Sequence, residues 1–185
     1  VASEIAAFAE AGEFSREIAE RALSNQVITP SVTTLEDVAW WIWDQLLEKG
    51  LESSFDMPSV YITGPDGIVA TSSDRIIQRG DLLMIDWGVG FLDFYTDMKR
   101  IAYVLHEGET KAPVGIQNAF DQALKVRDVM KSTIKPSNTA QQALDVTWEA
   151  IEAAGFNRIE FNQPSTDPAI TDVVIGPHSV GNWGH

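Results

Sequence analysis

The sequence predicts an α+β domain built from two similar halves. Predicted helices come in two pairs, one on each side of a β-rich stretch between about residues 60 and 105. The break between paired helices repeats, because Pro30, Ser31 and Thr33 recur as Pro136, Ser137 and Thr139, at one offset of 106 residues. The glycines that end the second helices, Gly50 and Gly155, lie 105 residues apart. Pro-Ser-Thr breaks are common before helices. The agreement between the offset of the break and that of the closing glycine nevertheless favours an internal duplication, with half-repeats at about 4–105 and 110–185 within a single domain 1–185.

The four helices follow from apolar periodicity and from their end signals. Residues 4–23 form an amphipathic pattern whose apolar side is supplied by Ile5, Phe8, Ile18, Ala22 and Leu23. Thr33 or Thr34 can cap the second helix, and Gly50 is a natural stop. In the second half, we expect helices over residues 116–133 and 140–154.

The predicted strands lie between the helix pairs. Residues 60–62 form a plausible strand, and 64–67 (Gly-Pro-Asp-Gly) form a turn. Residues 82–89 and 94–105 are rich in β-branched, aromatic and aliphatic side chains, which predicts two strands of an antiparallel hairpin.

Composition excludes several classes of function. A net charge of -14 disfavours nucleic acid and anionic membranes as partners, because both need a basic surface. The chain has no cysteine, so any metal must be held by Asp, Glu and His. No apolar run approaches membrane-spanning length. We expect a soluble protein, cytoplasmic rather than exported, with export left open.

Two aspartates in the hairpin are the candidate functional pair. If the chain reverses at Phe91 and Leu92, antiparallel pairing sets Asp86 directly opposite Asp97. Their Cβ atoms would then lie about 4.5–5.5 Å apart on one face. Unneutralised carboxylates at that separation repel each other, whereas a pair of divalent cations needs carboxylates so placed. The alternative is that one aspartate is solvated and the other pairs with Lys99 or Arg100; Asp93 is expected to be only a turn residue.

This segment resembles a known metal-binding hairpin. Gly80-Asp81, then a strand ending in Asp86-Trp87-Gly88, then Thr96-Asp97-Met98-Lys99-Arg100 is similar to the hairpin of the methionine aminopeptidase and Xaa-Pro aminopeptidase (prolidase) superfamily. The resemblance implies the pita-bread fold, with duplicated helix-helix-strand halves around an antiparallel sheet. It also implies two divalent metal ions (Mn, Co, Fe or Zn), with Asp97 bridging both and Asp86 binding one.

The resemblance gives roles to two histidines near the end of the chain. His178 and His185 are seven residues apart in a glycine-rich segment that contains His-x-x-Gly. The resemblance implies that His178 is a metal ligand and that His185 contacts substrate and stabilises the oxyanion. A second alignment, with His185 as the ligand, stays open. His106 lies in a polar turn and is expected to be a surface residue.

Two features depart from the family pattern. The superfamily has a further substrate histidine about seventeen residues before the first aspartate, where this chain has Thr71 and Ser72, either of which could donate a hydrogen bond to substrate. The family also completes its site with two glutamates after the second histidine, and Glu160 is not placed to replace them. We therefore expect an incomplete catalytic domain that binds metal poorly by itself.

The resemblance implies a dinuclear exopeptidase of the Xaa-Pro aminopeptidase or dipeptidase type, which hydrolyses peptide bonds near the N-terminus through a metal-bridging hydroxide. Its partner is a peptide substrate, and a homodimer is left open. The absent upstream histidine keeps two alternatives in view. One is a catalytically inactive pita-bread binding module, and the other is a non-peptide C–N hydrolase such as an amidinohydrolase.

Overall fold

The computed structural model describes residues 1–64, 67–136, 138–159, 163–167 and 169–175. The chain divides into two compact units, Val1–Ala112 and Pro113–His185. The described residues of the first unit form two helices and seven strands, in the order α1 (Ala2–Ala22), α2 (Leu35–Glu48), β1 (Glu52–Ser53), β2 (Ser59–Gly64), β3 (Gly67–Val69), β4 (Leu82–Trp87), β5 (Val89–Phe91), β6 (Phe94–Tyr95) and β7 (Met98–Tyr103). The second contains α3 (Val114–Thr133), α4 (Ala140–Ala153), β8 (Asn157–Arg158) and β9 (Asp172–Val173). All four predicted helices are confirmed, as is the α+β class.

Local interactions determine both ends of helix α2: a side-chain cap at its start and a glycine after its last residues. The Thr34 hydroxyl accepts a 3.0 Å hydrogen bond from the Asp37 backbone N–H, and the Thr34 N–H donates to the Asp37 carboxylate at 2.8 Å. This reciprocal capping box satisfies two of the free backbone donors at the helix start. Gly50 ends the helix with a φ of 65°, a conformation that glycine adopts without strain. The cap and the stop are both confirmed.

The buried side of α1 differs from the predicted one. Ile18 and Ala22 are fully buried, but Ile5 and Phe8 are 73% and 49% exposed. The assignment of Ile5 and Phe8 to the core side is therefore wrong. The buried stripe instead continues through small residues, Ala11 and Ser15, which allow the helix to lie close to the strands.

The first unit has a four-stranded antiparallel sheet in the order β3-β2-β4-β7 and a smaller sheet in the order β1-β5-β6. One face of the larger sheet packs into the helix-bearing core, and its side chains are at most 8% exposed: Val60, Ile62, Leu83, Ile85 and Trp87. Alternating residues project from the other side, which we call the open face: Ser59, Tyr61, Thr63, Leu82, Met84, Asp86, Lys99, Ile101 and Tyr103. Asp86 is therefore held in an inner strand but does not point into the core.

The second unit repeats the helix ends of the first. Thr139 and Gln142 form a capping box at the start of α4, and Gly155 ends it with a φ of 89°. After each helix the chain closes the same way, with Leu51 N–H donating to Leu46 at 2.9 Å and Phe156 N–H donating to Ile151 at 3.2 Å. Its small core contains Val126, Trp148, Ile151, Phe156 and Val173. Strands β8 and β9 are parallel.

No helix in the described part of the chain combines the length and apolar composition needed to span a bilayer.

Candidate metal centre

The hairpin that carries the two aspartates turns at Leu92 and Asp93. These residues have φ values of 51° and 63°, and the flanking pairs are Phe91 with Phe94 and Gly90 with Tyr95. A two-residue hairpin loop with both central residues at positive φ matches the twist of the flanking strands. The predicted reversal at Phe91 and Leu92 is therefore wrong by one residue. The role of Asp93 as a turn residue is confirmed, since Asp tolerates this conformation better than most residues.

The turn sets the register of the whole hairpin. Asp86 pairs with Lys99, and Trp87 pairs with Met98, so the next step along the hairpin brings Asp97 to Gly88. The predicted direct pairing of Asp86 with Asp97 is therefore wrong by two residues. Asp97 becomes a diagonal neighbour of Asp86, a relation in which Cα atoms are typically about 7–8 Å apart.

The Asp86 carboxylate has two different environments. Its Oδ2 atom lies 2.9 Å from the Lys99 ammonium, and the Asp86 and Lys99 side chains are 24% and 47% exposed. Its Oδ1 atom is buried and accepts no hydrogen bond from any described residue. Asp97, by contrast, is exposed. The side chains thus match the alternative interpretation, in which one aspartate pairs with Lys99 and the other is solvated. One oxygen of the Asp86 carboxylate nevertheless lacks a hydrogen-bond partner among the described residues.

The unsatisfied oxygen fits a cation. A buried acceptor without a partner costs about 1–3 kcal/mol, and the Lys99 ammonium contacts Oδ2 while Oδ1 has no partner among the described residues. Carboxylate oxygens together with imidazole are suitable donors for Mn, Fe, Co or Zn. Within the described ranges, no three His, Cys, Asp or Glu side chains are grouped to hold a metal. The predicted ligand His178 and the predicted substrate residue His185 lie outside the described residues, as does Glu160.

A buried hydroxyl network holds the strand that leads to Asp97. Thr96 Oγ1 lies 2.6 Å from Ser15 Oγ and accepts from the Val89 N–H at 2.9 Å, while the Thr96 carbonyl accepts from Ser54 Oγ at 2.8 Å. The carbonyl also lies 1.7 Å from where a Cβ would stand on Gly88, so only glycine fits there. The roles of Ser15 and Ser54 were not foreseen, because their contacts join distant parts of the chain. Gly88 and Thr96 belong to the quoted motif, which was the available signal.

Thr71 and Ser72, upstream of the hairpin, form side-chain hydrogen bonds with backbone groups. The Thr71 hydroxyl accepts from the Val60 N–H at 2.8 Å and donates to the Val60 carbonyl at 3.0 Å. Since its proton is committed, the expectation that Thr71 could donate to substrate is wrong. Ser72 Oγ accepts from the Asp74 N–H at 3.0 Å, which stabilises the local turn. That contact leaves the Ser72 proton uncommitted.

His106 is exposed at the end of the sheet, which confirms the prediction that it is a surface residue. Its ring meets that of Tyr103 edge-on, with centroids 6.4 Å apart, and occupies the space where a Cβ on Gly80 would lie, 2.9 Å from Nε2. Burial raises the pKa of the Tyr103 hydroxyl, with Glu109 adding to the effect. His106 thus packs against the end of β7.

Comparison with known proteins shows which family the chain matches. Residues 6–184 match metallopeptidase family M24. A peptidase of Bacillus subtilis, the uncharacterized peptidase YqhT, is 30% identical over 115 residues, which cover 62% of this chain and 28% of that protein.

Solved structures share the fold. An X-Pro aminopeptidase from Thermotoga maritima superposes with a TM-score of 0.65 at 20% identity, covering 84% of this chain and 42% of that one. A prolidase from Pyrococcus furiosus gives 0.64 at 22% identity, with coverage of 84% and 44%. This similarity confirms the predicted pita-bread fold. The chain spans less than half the length of these relatives.

Proposed function

Because the chain belongs to metallopeptidase family M24, we propose that Asp86 and Asp97 hold divalent metal for an exopeptidase that acts on Xaa-Pro peptides. The family match over residues 6–184 carries this proposal, and the buried, unsatisfied Oδ1 atom of Asp86 supports it at the level of one residue. The substrate class is suggested by the resemblance of the hairpin and by relatives whose names specify X-Pro aminopeptidase and prolidase.

The two aspartates have different parts in the proposed site. Asp86 is backbone-paired on both sides, to Ser59 of β2 and Lys99 of β7, so its carboxylate is held by a rigid part of the sheet. Asp97 comes directly after Thr96, whose buried hydroxyl network limits movement of the strand. Such support is what a metal ligand requires, because ligand positions must be held closely. His178 is proposed as a further ligand.

The chemistry of the proposed reaction is hydrolysis. Bound divalent metals would lower the pKa of a coordinated water and polarise the scissile carbonyl. His185 is proposed to donate a hydrogen bond to the carbonyl oxygen as negative charge develops there. The carboxylates of Asp86 and Asp97 would hold the cations, and both would supply negative charge to balance them.

The test uses the full-length protein and Xaa-Pro peptides. After chelation, added Mn²⁺ or Co²⁺ should restore hydrolysis, followed as release of the N-terminal residue or of proline. Asp86→Asn and Asp97→Asn should each lower the metal-restored rate by at least about 100-fold, because they remove a ligand charge. Asp93→Asn is the matched control, since this exposed turn residue at positive φ changes charge in the same hairpin.

Hydrolysis that ignores chelation, or an Asp86→Asn variant as active as Asp93→Asn, would contradict the proposal. Metal-restored cleavage of Xaa-Ala peptides with no cleavage of Xaa-Pro peptides would contradict the substrate class alone.

An inactive peptide-binding module is the second candidate. The Lys99 ammonium neutralises Asp86 without any metal, which a binding module could retain. That candidate predicts peptide binding, measured by calorimetry, with no hydrolysis at any metal concentration.

A further inference from the structure

We propose that Lys99 is an internal cation that occupies Asp86 until a metal displaces it, so that metal loading at Asp86 is a competition with the protein's own ammonium group. This inference rests on the proposed function of Asp86 as a ligand. The observation behind it is a half-satisfied carboxylate. Lys99 Nζ contacts Oδ2 at 2.9 Å, while Oδ1 is buried without a partner among the described residues.

Asp86 and Lys99 differ in how freely their side chains can move. Asp86 lies in an inner strand with neighbours on both sides, and its side chain is 24% exposed. Lys99 lies on β7, at the edge of the described sheet, and its long side chain is 47% exposed. A lysine side chain so exposed can return its ammonium to water with little loss, because such ion pairs contribute little to stability. Lys99 is therefore the partner that moves.

The neighbouring arginine does not take part. Arg100 Nη1 donates to the Lys99 carbonyl at 2.8 Å, and Arg100 pairs across the ladder with Ile85 rather than with Asp86. Among the described residues, Lys99 is thus the one cationic side chain in an ion pair with Asp86. In this ion pair the ammonium contacts Oδ2 and leaves Oδ1 without a partner among the described residues, whereas a divalent ion could take both carboxylate oxygens. The metal therefore satisfies the atom that Lys99 leaves unpaired.

Charge makes the exchange mutually exclusive. A divalent ion at Asp86 and an ammonium 2.9 Å from the same carboxylate would repel each other strongly at this distance. When metal enters, Lys99 swings into solvent; when metal leaves, Lys99 returns and neutralises Asp86. The ammonium therefore lowers the affinity of the Asp86 position for metal, by a small factor because the ion pair itself is weak.

The experiment measures binding on the full-length protein rather than activity. Calorimetric titration of the chelated protein with Mn²⁺ should show about two- to fivefold tighter binding in Lys99→Met, the range expected when a weak competing pair is removed. Lys99→Arg keeps a cation, whose fork can pair both carboxylate oxygens, and should bind Mn²⁺ no more tightly than wild type. Lys111→Met is the matched control, because it removes the same charge from an exposed position with no ion pair to Asp86.

A second readout follows Lys99 itself. Mass spectrometry after brief amine acetylation should show faster labelling of Lys99 with Mn²⁺ than with chelator, while Lys111 labels equally in both. Equal Mn²⁺ affinity in wild type and Lys99→Met, or labelling of Lys99 at the same rate with and without metal, would refute the role of Lys99. Neither result would contradict the proposed metal site. Failure of every variant to bind Mn²⁺ would overturn the proposed function, and this inference with it.

Discussion

Replacing Gly88 with alanine should strongly destabilise the protein. An added Cβ would lie 1.7 Å from the Thr96 carbonyl oxygen and 2.6 Å from Ser54 Oγ. The carbonyl cannot retreat freely, because Ser54 Oγ donates to it at 2.8 Å and the Thr96 N–H donates to Val89 at 2.9 Å. Overpacking costs about 1–3 kcal/mol, and two lost hydrogen bonds cost about 0.5–1.5 kcal/mol each. We expect a loss of about 2–6 kcal/mol in the free energy of unfolding.

Urea unfolding of the full-length protein, followed by tryptophan fluorescence, measures this loss, because Trp87 beside Gly88 is fully buried. Gly12→Ala is the control, since the corresponding Cβ in α1 meets nothing within 4 Å. That change should be neutral or stabilising by up to about 1 kcal/mol, because alanine favours the helix. A Gly88→Ala variant within about 1 kcal/mol of wild type would refute the steric reasoning. The same variant should also weaken Mn²⁺ binding, because the strand leading to Asp97 must move.

Two further predictions concern hydroxyl groups outside the hairpin. Thr34→Ala should lower the free energy of unfolding by about 1 kcal/mol through loss of the α2 cap, measured by urea unfolding at pH 7. The Thr34 N–H holds the pKa of the Asp37 carboxyl below its ordinary value, so the Asp37 contribution is present above about pH 4 and is lost as pH falls through the lowered pKa. The Thr34 hydroxyl adds a smaller share to this lowering of the Asp37 pKa, and only that share is lost in the variant, which keeps the backbone N–H. The difference in unfolding free energy between wild type and variant should therefore narrow slightly below about pH 4, and a constant difference would contradict the hydroxyl contribution. Thr71→Val should cost about 1–3 kcal/mol, because two backbone groups of the fully buried Val60 lose their partner; unchanged thermal unfolding would count against it.

Local signals were sufficient to predict much of the fold. Thr34 and Gly50 direct the ends of α2 through contacts within a few residues, so the sequence shows them. The burial of Ile18 follows from helical periodicity. The exposure of Ile5 and Phe8 could not be predicted from periodicity, because it depends on where the strands end beneath α1.

The candidate site was only partly predictable. The sequence identifies Asp86 and Asp97 as the notable pair, but their register depends on a turn whose first residue, Leu92, is not a typical turn residue. A turn placed one residue later shifts every pair by two, which substitutes Lys99 for Asp97 opposite Asp86. The proposed competition between ammonium and metal depends on that shift, because it brings Lys99 opposite Asp86.

The matched ends of α2 and α4 also determine how the chain tolerates length changes. Each helix has 14 residues, preceded by a threonine cap and followed by one C-cap residue and a closing glycine, so both ends are fixed. One extra residue would rotate all following side chains by about 100°. In α2 such a change would turn Ile42 and Leu46, now buried, towards water. Insertions should therefore be tolerated in the exposed segments between elements. Inside these two helices they should destabilise the fold, because both helix ends are fixed and the helix length cannot adjust.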